Sequence, residues 1–175
     1  MRRAVLAVPL ATLLVAGGCK EAPASSAPTP AIAGCAGVPD MALQGRVTDA
    51  AGILPAAEEA RLSDRLARYE QRTTHQMVIA TAPTLNNLDV ATVGDCLGNR
   101  WGIGDKDRND GILILVAPNQ RRARISTGSG LESMLTDEEA KAAIDQMTPH
   151  FRSNDFAGGL SAAVEAIAAQ TGDTQ

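Results

Sequence analysis

Aromatic side chains are nearly missing from this chain: one Trp, one Tyr and two Phe in 175 residues. Proteins that bind nucleic acid by stacking bases need several exposed rings, and the material for such a surface is not here. Only two histidines are present, His75 and His150, and they are scattered, so there is no phosphohistidine pair. Neither Cys-x5-Arg nor Arg-His-Gly occurs. Glycine spacing fits neither a P-loop nor a dinucleotide fingerprint, and there are no internal repeats. Past the first eighteen residues, no apolar run is long enough to cross a membrane. A surplus of basic charge is missing too. Without Arg2 and Arg3 of the leader, 14 basic residues face 20 acidic ones, a net of −6. Such a chain is not drawn to nucleic acid or to anionic lipid.

The leader is residues 1–18. Arg2 and Arg3 make a charged start, and residues 4–16 are apolar except for Pro9 and Thr12. That layout is a signal peptide rather than a membrane span. Gly17-Gly18-Cys19 resembles the lipobox of bacterial lipoproteins. The resemblance implies cleavage before Cys19, acylation there and a membrane tether, and Lys20 after the cysteine resembles outer-membrane lipoproteins. The expected location is the bacterial cell envelope, on its periplasmic face. Residues 20–39 are rich in Ala, Pro, Ser and Thr and read as a flexible linker; twenty such residues reach roughly 25 Å. The expected organisation is leader 1–18, lipid-anchored tether 19–44, folded domain 45–171 and frayed tail 172–175. Cys35 and Cys96 remain after acylation. In an oxidising periplasm two cysteines often pair, but sequence alone leaves a disulfide and two separate thiols both open.

Within the folded part, residues 45–54 form a looped or extended entry. Pro55 opens a helix, with Glu58 and Glu59 at its positive end. Leu62, Leu66 and Tyr69 form its apolar stripe, and Arg61, Arg65, Arg68 and Arg72 its wet face. Residues 75–82 read as a buried strand, with His75 in a capping or surface role. Residues 88–100 form a helix, with Trp101 a packing anchor at its end. Ile112 to Val116 is a short continuous apolar run, which suggests a strand buried on both faces. A turn at residues 118–120 and the alternating residues 121–127 complete a hairpin. Gly128-Ser129-Gly130 reads as a tight turn. Thr136 and Glu139 form a capping box for a helix that ends at Pro149. Phe156, Leu160, Val164 and Ile167 mark the last helix. Helices alternating with buried strands predict an α/β fold with helices on both faces of a small mixed sheet.

The sheet's most buried strand is preceded by a dense oxygen cluster: Asp105, Asp107, Asn109 and Asp110. Two bare carboxylates about 5 Å apart repel by roughly 3 kcal/mol, and a bound divalent cation would reverse the sign. Such oxygens suit Ca2+ or Mg2+. The Asp-x-Asp-x-Asn rhythm opens like an EF-hand. Gly111 comes one place late, however, Val116 stands where a Glu belongs, and a strand follows instead of a helix.

GRVTDAAGIL, WGIGDKDRNDGILILVA, RRARISTGSGLE and PHFRSNDFAGGL together resemble the TPM domain, over about residues 45–170. That family includes a thylakoid lumen photosystem II repair protein and many bacterial envelope proteins. The resemblance implies an α/β/α sandwich. It also implies one acidic pocket shared by Asp49 and the 105–110 segment, with Ca2+ or Mg2+ as ligand. Arg124 and Glu132 stand in family-like positions. Two functions follow as expectations. One is a tethered module that binds a cation and holds an envelope partner. The other is a metal-assisted acid phosphatase, with Asp107 or Asp110 as ligand or base. No nucleophile–base pair is visible, which favours the first.

Overall fold

The computed structural model describes residues 34–173. The leader, Cys19 and most of the linker lie outside them. Eight elements follow in order: β1 (Val47–Asp49), α1 (Ala56–Thr73), β2 (Gln76–Thr81), α2 (Val90–Trp101), β3 (Gly111–Ala117), β4 (Arg122–Thr127), α3 (Asp137–Arg152) and α4 (Phe156–Gln170). The strands form one sheet in the order β1-β2-β3-β4. The first three are parallel and β4 runs antiparallel to β3. This is the expected α/β fold with a small mixed sheet. The looped entry has in addition a three-residue edge strand, too short to show an alternation in sequence.

Every residue of β3 is buried, as its unbroken apolar run requires. Its side chains alternate between two cores. Ile112, Ile114 and Val116 join Met77, Ile79 and Val47 under α1, α3 and α4. Leu113 and Leu115 join Val78 and Ala80 under α2. The crossovers β1-α1-β2 and β2-α2-β3 step the same way across the sheet, yet their helices lie on opposite faces. Two such connections have opposite hands, so one is left-handed, against a strong general preference.

The helix ends follow local chemistry. Asp89 caps α2 through the Ala91 amide, and Gly102 closes it at φ 61°. Thr136 and Glu139 make the reciprocal capping box of α3. That helix runs through Pro149 to Arg152 rather than stopping at the proline.

Three expectations are corrected. Residues 35–43 are not free linker. Val38 and Met41 are buried, the Trp101 indole donates to the Met41 carbonyl at 3.0 Å, and Cys35 is bonded to Cys96 with Cα atoms 5.7 Å apart. This segment covers the α2 face, which has one helix where the other face has three. Arg65 is not on a wet face: it is 9 % exposed and forks onto Glu165 at 2.6 and 2.7 Å. Residues 172–173 are not frayed. Asp173 is buried between Arg72 and Arg65, and Tyr69 bonds Thr171 at 2.7 Å. Both arginines hold the Asp173 carboxyl below the usual carboxylate range, against the effect of its burial.

The disulfide closes a loop across 61 positions of sequence. A cross-link of that span restricts the unfolded chain by about 4 kcal/mol. Reduction is therefore expected to lower the unfolding free energy by about that much, measured by urea denaturation with and without a thiol reductant.

Candidate functional site

The acidic loop is built by glycines before it is built by acids. Gly104 has φ 92°, and a Cβ there would collide with the backbone of Gly111. Gly128 and Gly130 lie against the backbone of Asn109 and Arg108, where a side chain would likewise collide. The Gly130 N–H donates to the Asn109 carbonyl at 3.0 Å, and the Asn109 amide donates to Ser129 Oγ at 2.8 Å. The Gly-Ser-Gly turn is thus a platform for the acidic loop.

Asp110 is the loop's anchor and is 2 % exposed. Its Oδ2 accepts from Arg108 Nε at 2.7 Å and from His75 Nδ1 at 3.0 Å. Its Oδ1 accepts the Asp105 amide at 2.8 Å. Burial pushes the carboxyl up, but His75, the Asp105 amide and Arg108 together outweigh it and hold it at about 2. The ionised carboxylate can only accept, so the proton of this contact sits on His75 Nδ1. Asp105 is exposed, but its Oδ1 is engaged within the loop, accepting the amides of Asp107 and Arg108, both at 3.0 Å. Arg108 Nη2 reaches the Thr74 carbonyl at 3.1 Å and ties the loop to the end of α1.

These contacts decide how well the loop fits a hard cation. Ca2+ or Mg2+ needs several free oxygens converging on one point. Here Asp110 and one oxygen of Asp105 are engaged by N–H donors, and the compensating positive charge is Arg108. Asp107 is exposed and Asn109 is engaged with Ser129. Among the described residues no three His, Cys, Asp or Glu side chains are placed to hold a metal. Asp49 is not in this neighbourhood. Strand register sets it beside Thr81 and Val116, whereas the loop enters beside Gln76 and Gly111. Five residues of strand separate the two ends, roughly 16 Å. Asp49 instead accepts the amides of Ile53 and Leu54 at 3.2 and 2.8 Å and the Thr81 hydroxyl. The expected shared pocket is therefore corrected: Asp49 shapes the turn into α1. In this arrangement Asp110 and one oxygen of Asp105 face donors of the chain itself.

The concave site lies next to the loop. A cleft of about 620 Å³ runs along β4 between α2 and the start of α3. Asp95 and Asn99 stand on one wall, Glu132 and Asp137 on the other, with Arg124 and Ser126 between them and Asn109 at one end. Ser126 Oγ donates to Asp95 Oδ1 at 2.8 Å. The stem of Arg124 packs over Gly94, where a Cβ would stand 3.3 Å from its Cγ. Its Nε is buried and has no hydrogen-bond partner among the described residues. Arg65 Nη1 also lacks an aligned partner, but it lies 3.0 Å from an Asp173 oxygen; Arg124 has no ion pair among the described residues, although Asp95, Glu132 and Asp137 line the same cleft. In the sequence Arg124 stood out only by its family-like position and carried no role. The nearest signal was Gly94, a glycine inside a helix opposite that arginine.

The Asp110 contacts give a pH prediction. A carboxyl held below its unfolded value of 3.8 stabilises the fold fully above about pH 4, and that contribution is lost as pH falls toward 2. Asp110→Asn is expected to destabilise the protein by about 2 kcal/mol at pH 7. The gap between the two proteins should close between pH 4 and 2 in urea titrations.

Residues 47–170 match the model of the TPM domain family. The N-terminal domain of a protein from P. gingivalis, solved in solution, is 34% identical and superposes with a TM-score of 0.66, over 72% of this chain and 81% of that one. The N-terminal domain of the cg2496 protein of Corynebacterium glutamicum, 18% identical, shares the fold with a TM-score of 0.60 over 78% of this chain and 86% of that one. So does the BA42 protein of Bizionia argentinensis, 19% identical, with a TM-score of 0.61 over 67% and 81%. No protein of curated function matches significantly. With a family match over most of its length and a solved structure one-third identical, the chain belongs to the TPM domain family.

Proposed function

We propose that this TPM domain is a non-enzymatic interaction module, tethered to the membrane of the bacterial envelope through Cys19, and that it holds a partner protein in the cleft along β4. The observation that carries this reading is Arg124, a partly buried cation in a cleft whose Nε has no partner among the described residues. A buried donor left unpaired costs about 1–3 kcal/mol, a cost a bound group would remove. The leader and its Cys19 supply the tether, and the Cys35–Cys96 disulfide suits an oxidising compartment.

The acid phosphatase reading has less support. Each histidine is occupied by a carboxylate: His75 by Asp110 at 3.0 Å and His150 by Asp155 at 2.7 Å. Neither lines the cleft. Ser126 faces Asp95, not a histidine. A cation in the acidic loop is a separate expectation, and nothing in this reading depends on it.

Two measurements test the proposal. In cells, Cys19→Ala is expected to move the protein from the membrane fraction to the soluble periplasmic fraction. The full chain with a chromogenic phosphomonoester is expected to release no product above the buffer rate, with or without chelator. Metal-dependent turnover that disappears in Arg124→Gln would make the cleft an active site and overturn the reading.

A further inference from the structure

The cleft has an unusual floor: the free edge of a strand. The Gly128 N–H donates to the Gly111 carbonyl at 2.9 Å. This fixes the phase of the antiparallel ladder. Ser126, Arg124 and Arg122 bond inward to β3, opposite Leu113, Leu115 and Ala117. The N–H and C=O groups of Ala123, Ile125 and Thr127 therefore point away from the sheet. β4 is the last strand, and no other segment pairs with these six groups among the described residues. Exposed edges of this kind are usually blocked by proline, a bulge or a covering segment. Here Ile125 and Thr127 line the cleft, Ile125 with only 3 % of its surface exposed.

We infer that the occupant of the cleft is an extended segment of a partner protein that pairs with β4 as a fifth strand and sets a carboxylate on Arg124. The inference rests on the binding-module reading above and names its partner chemistry. Backbone pairing with Ala123, Ile125 and Thr127 would supply affinity, as in other strand additions. Arg124 would supply selectivity: its planar fork matches a carboxylate, and the side chain of an added strand would meet it on the α2 face. A second copy of this chain is the wrong occupant. Pairing β4 with itself would bring the Arg122 and Arg124 side chains of two copies onto one face as close neighbours, and like charges in that position repel. A segment carrying one Asp or Glu turns that repulsion into attraction at Arg124, while Asp95, Glu132 and Asp137 on the cleft walls disfavour further acidic residues beside them.

The test uses the full chain and linear decapeptides selected on it from a display library. Selected peptides are expected to carry an acidic residue in an extended pattern and to protect the amides of Ala123, Ile125 and Thr127 from hydrogen exchange. Arg124→Gln is expected to weaken them about tenfold and to leave their Asp/Glu-to-Asn/Gln versions unchanged. Thr127→Pro removes an outward N–H and spares the ladder to β3, so it should weaken binding with the circular dichroism spectrum retained. If that variant does not fold, N-methylation of alternate peptide amides makes the same test from the other side. Peptides that bind in the cleft while these three amides exchange as before would overturn strand pairing and leave the interaction module standing. Peptides that bind elsewhere, or no enrichment at all, would overturn both. A concentration-dependent dimer with the same amides protected would replace the partner segment with a second copy.

Discussion

One buried carboxylate organises the end of the sheet where the cleft begins. Asp110 gathers an imidazole from the entry to β2, a guanidinium from its own loop and an amide from the loop's start. Stripped of those donors, an ionised group at this depth would be strongly unfavourable. With them it is held ionised at about 2. Through Arg108 the same cluster reaches the last turn of α1. Asn109 is thereby fixed on the Gly128–Gly130 turn, at the mouth of the cleft. The charge of Asp110 is met by donors from inside the chain.

This explains why the loop reads so differently in sequence and in structure. Oxygen-rich spacing says how many acceptors are near each other along the chain. It does not say which donors the fold will deliver. His75 is 35 positions from Asp110, and nothing local links them. Asp49 fails for a related reason. Its likeness to a family motif was legible, but the parallel register that sends β1 and the acidic loop to opposite ends of the sheet exists only in three dimensions. The apolar run of β3, the hairpin, the capping box and the Leu62-Leu66-Tyr69 stripe were legible because each is a local consequence of burial or capping. The 35–43 segment was not. Its composition is that of a linker, and only the disulfide and a few buried side chains hold it down. Arg65 and Asp173 misled for the same reason: charges read as solvated when their partners lie about 100 residues away.

The layout of the layers accounts for the open cleft. Because the two parallel crossovers have opposite hands, α1 and α2 are divided between the faces. The chain then reverses at β4 and sends α3 and α4 back over the α1 face, where they pack on each other and α4 packs on α1. Among the described residues no later helix joins the core on the α2 side. Beyond β4 there is no fifth strand among the described residues, and the start of α3 stands across the cleft from its edge. An edge strand is an aggregation hazard unless managed, and three arginines at positions 121, 122 and 124 manage it against self-pairing while leaving its backbone open. The feature that protects the edge from a second copy is also the one that would select an acidic strand, so stability and recognition place the same demand on Arg124.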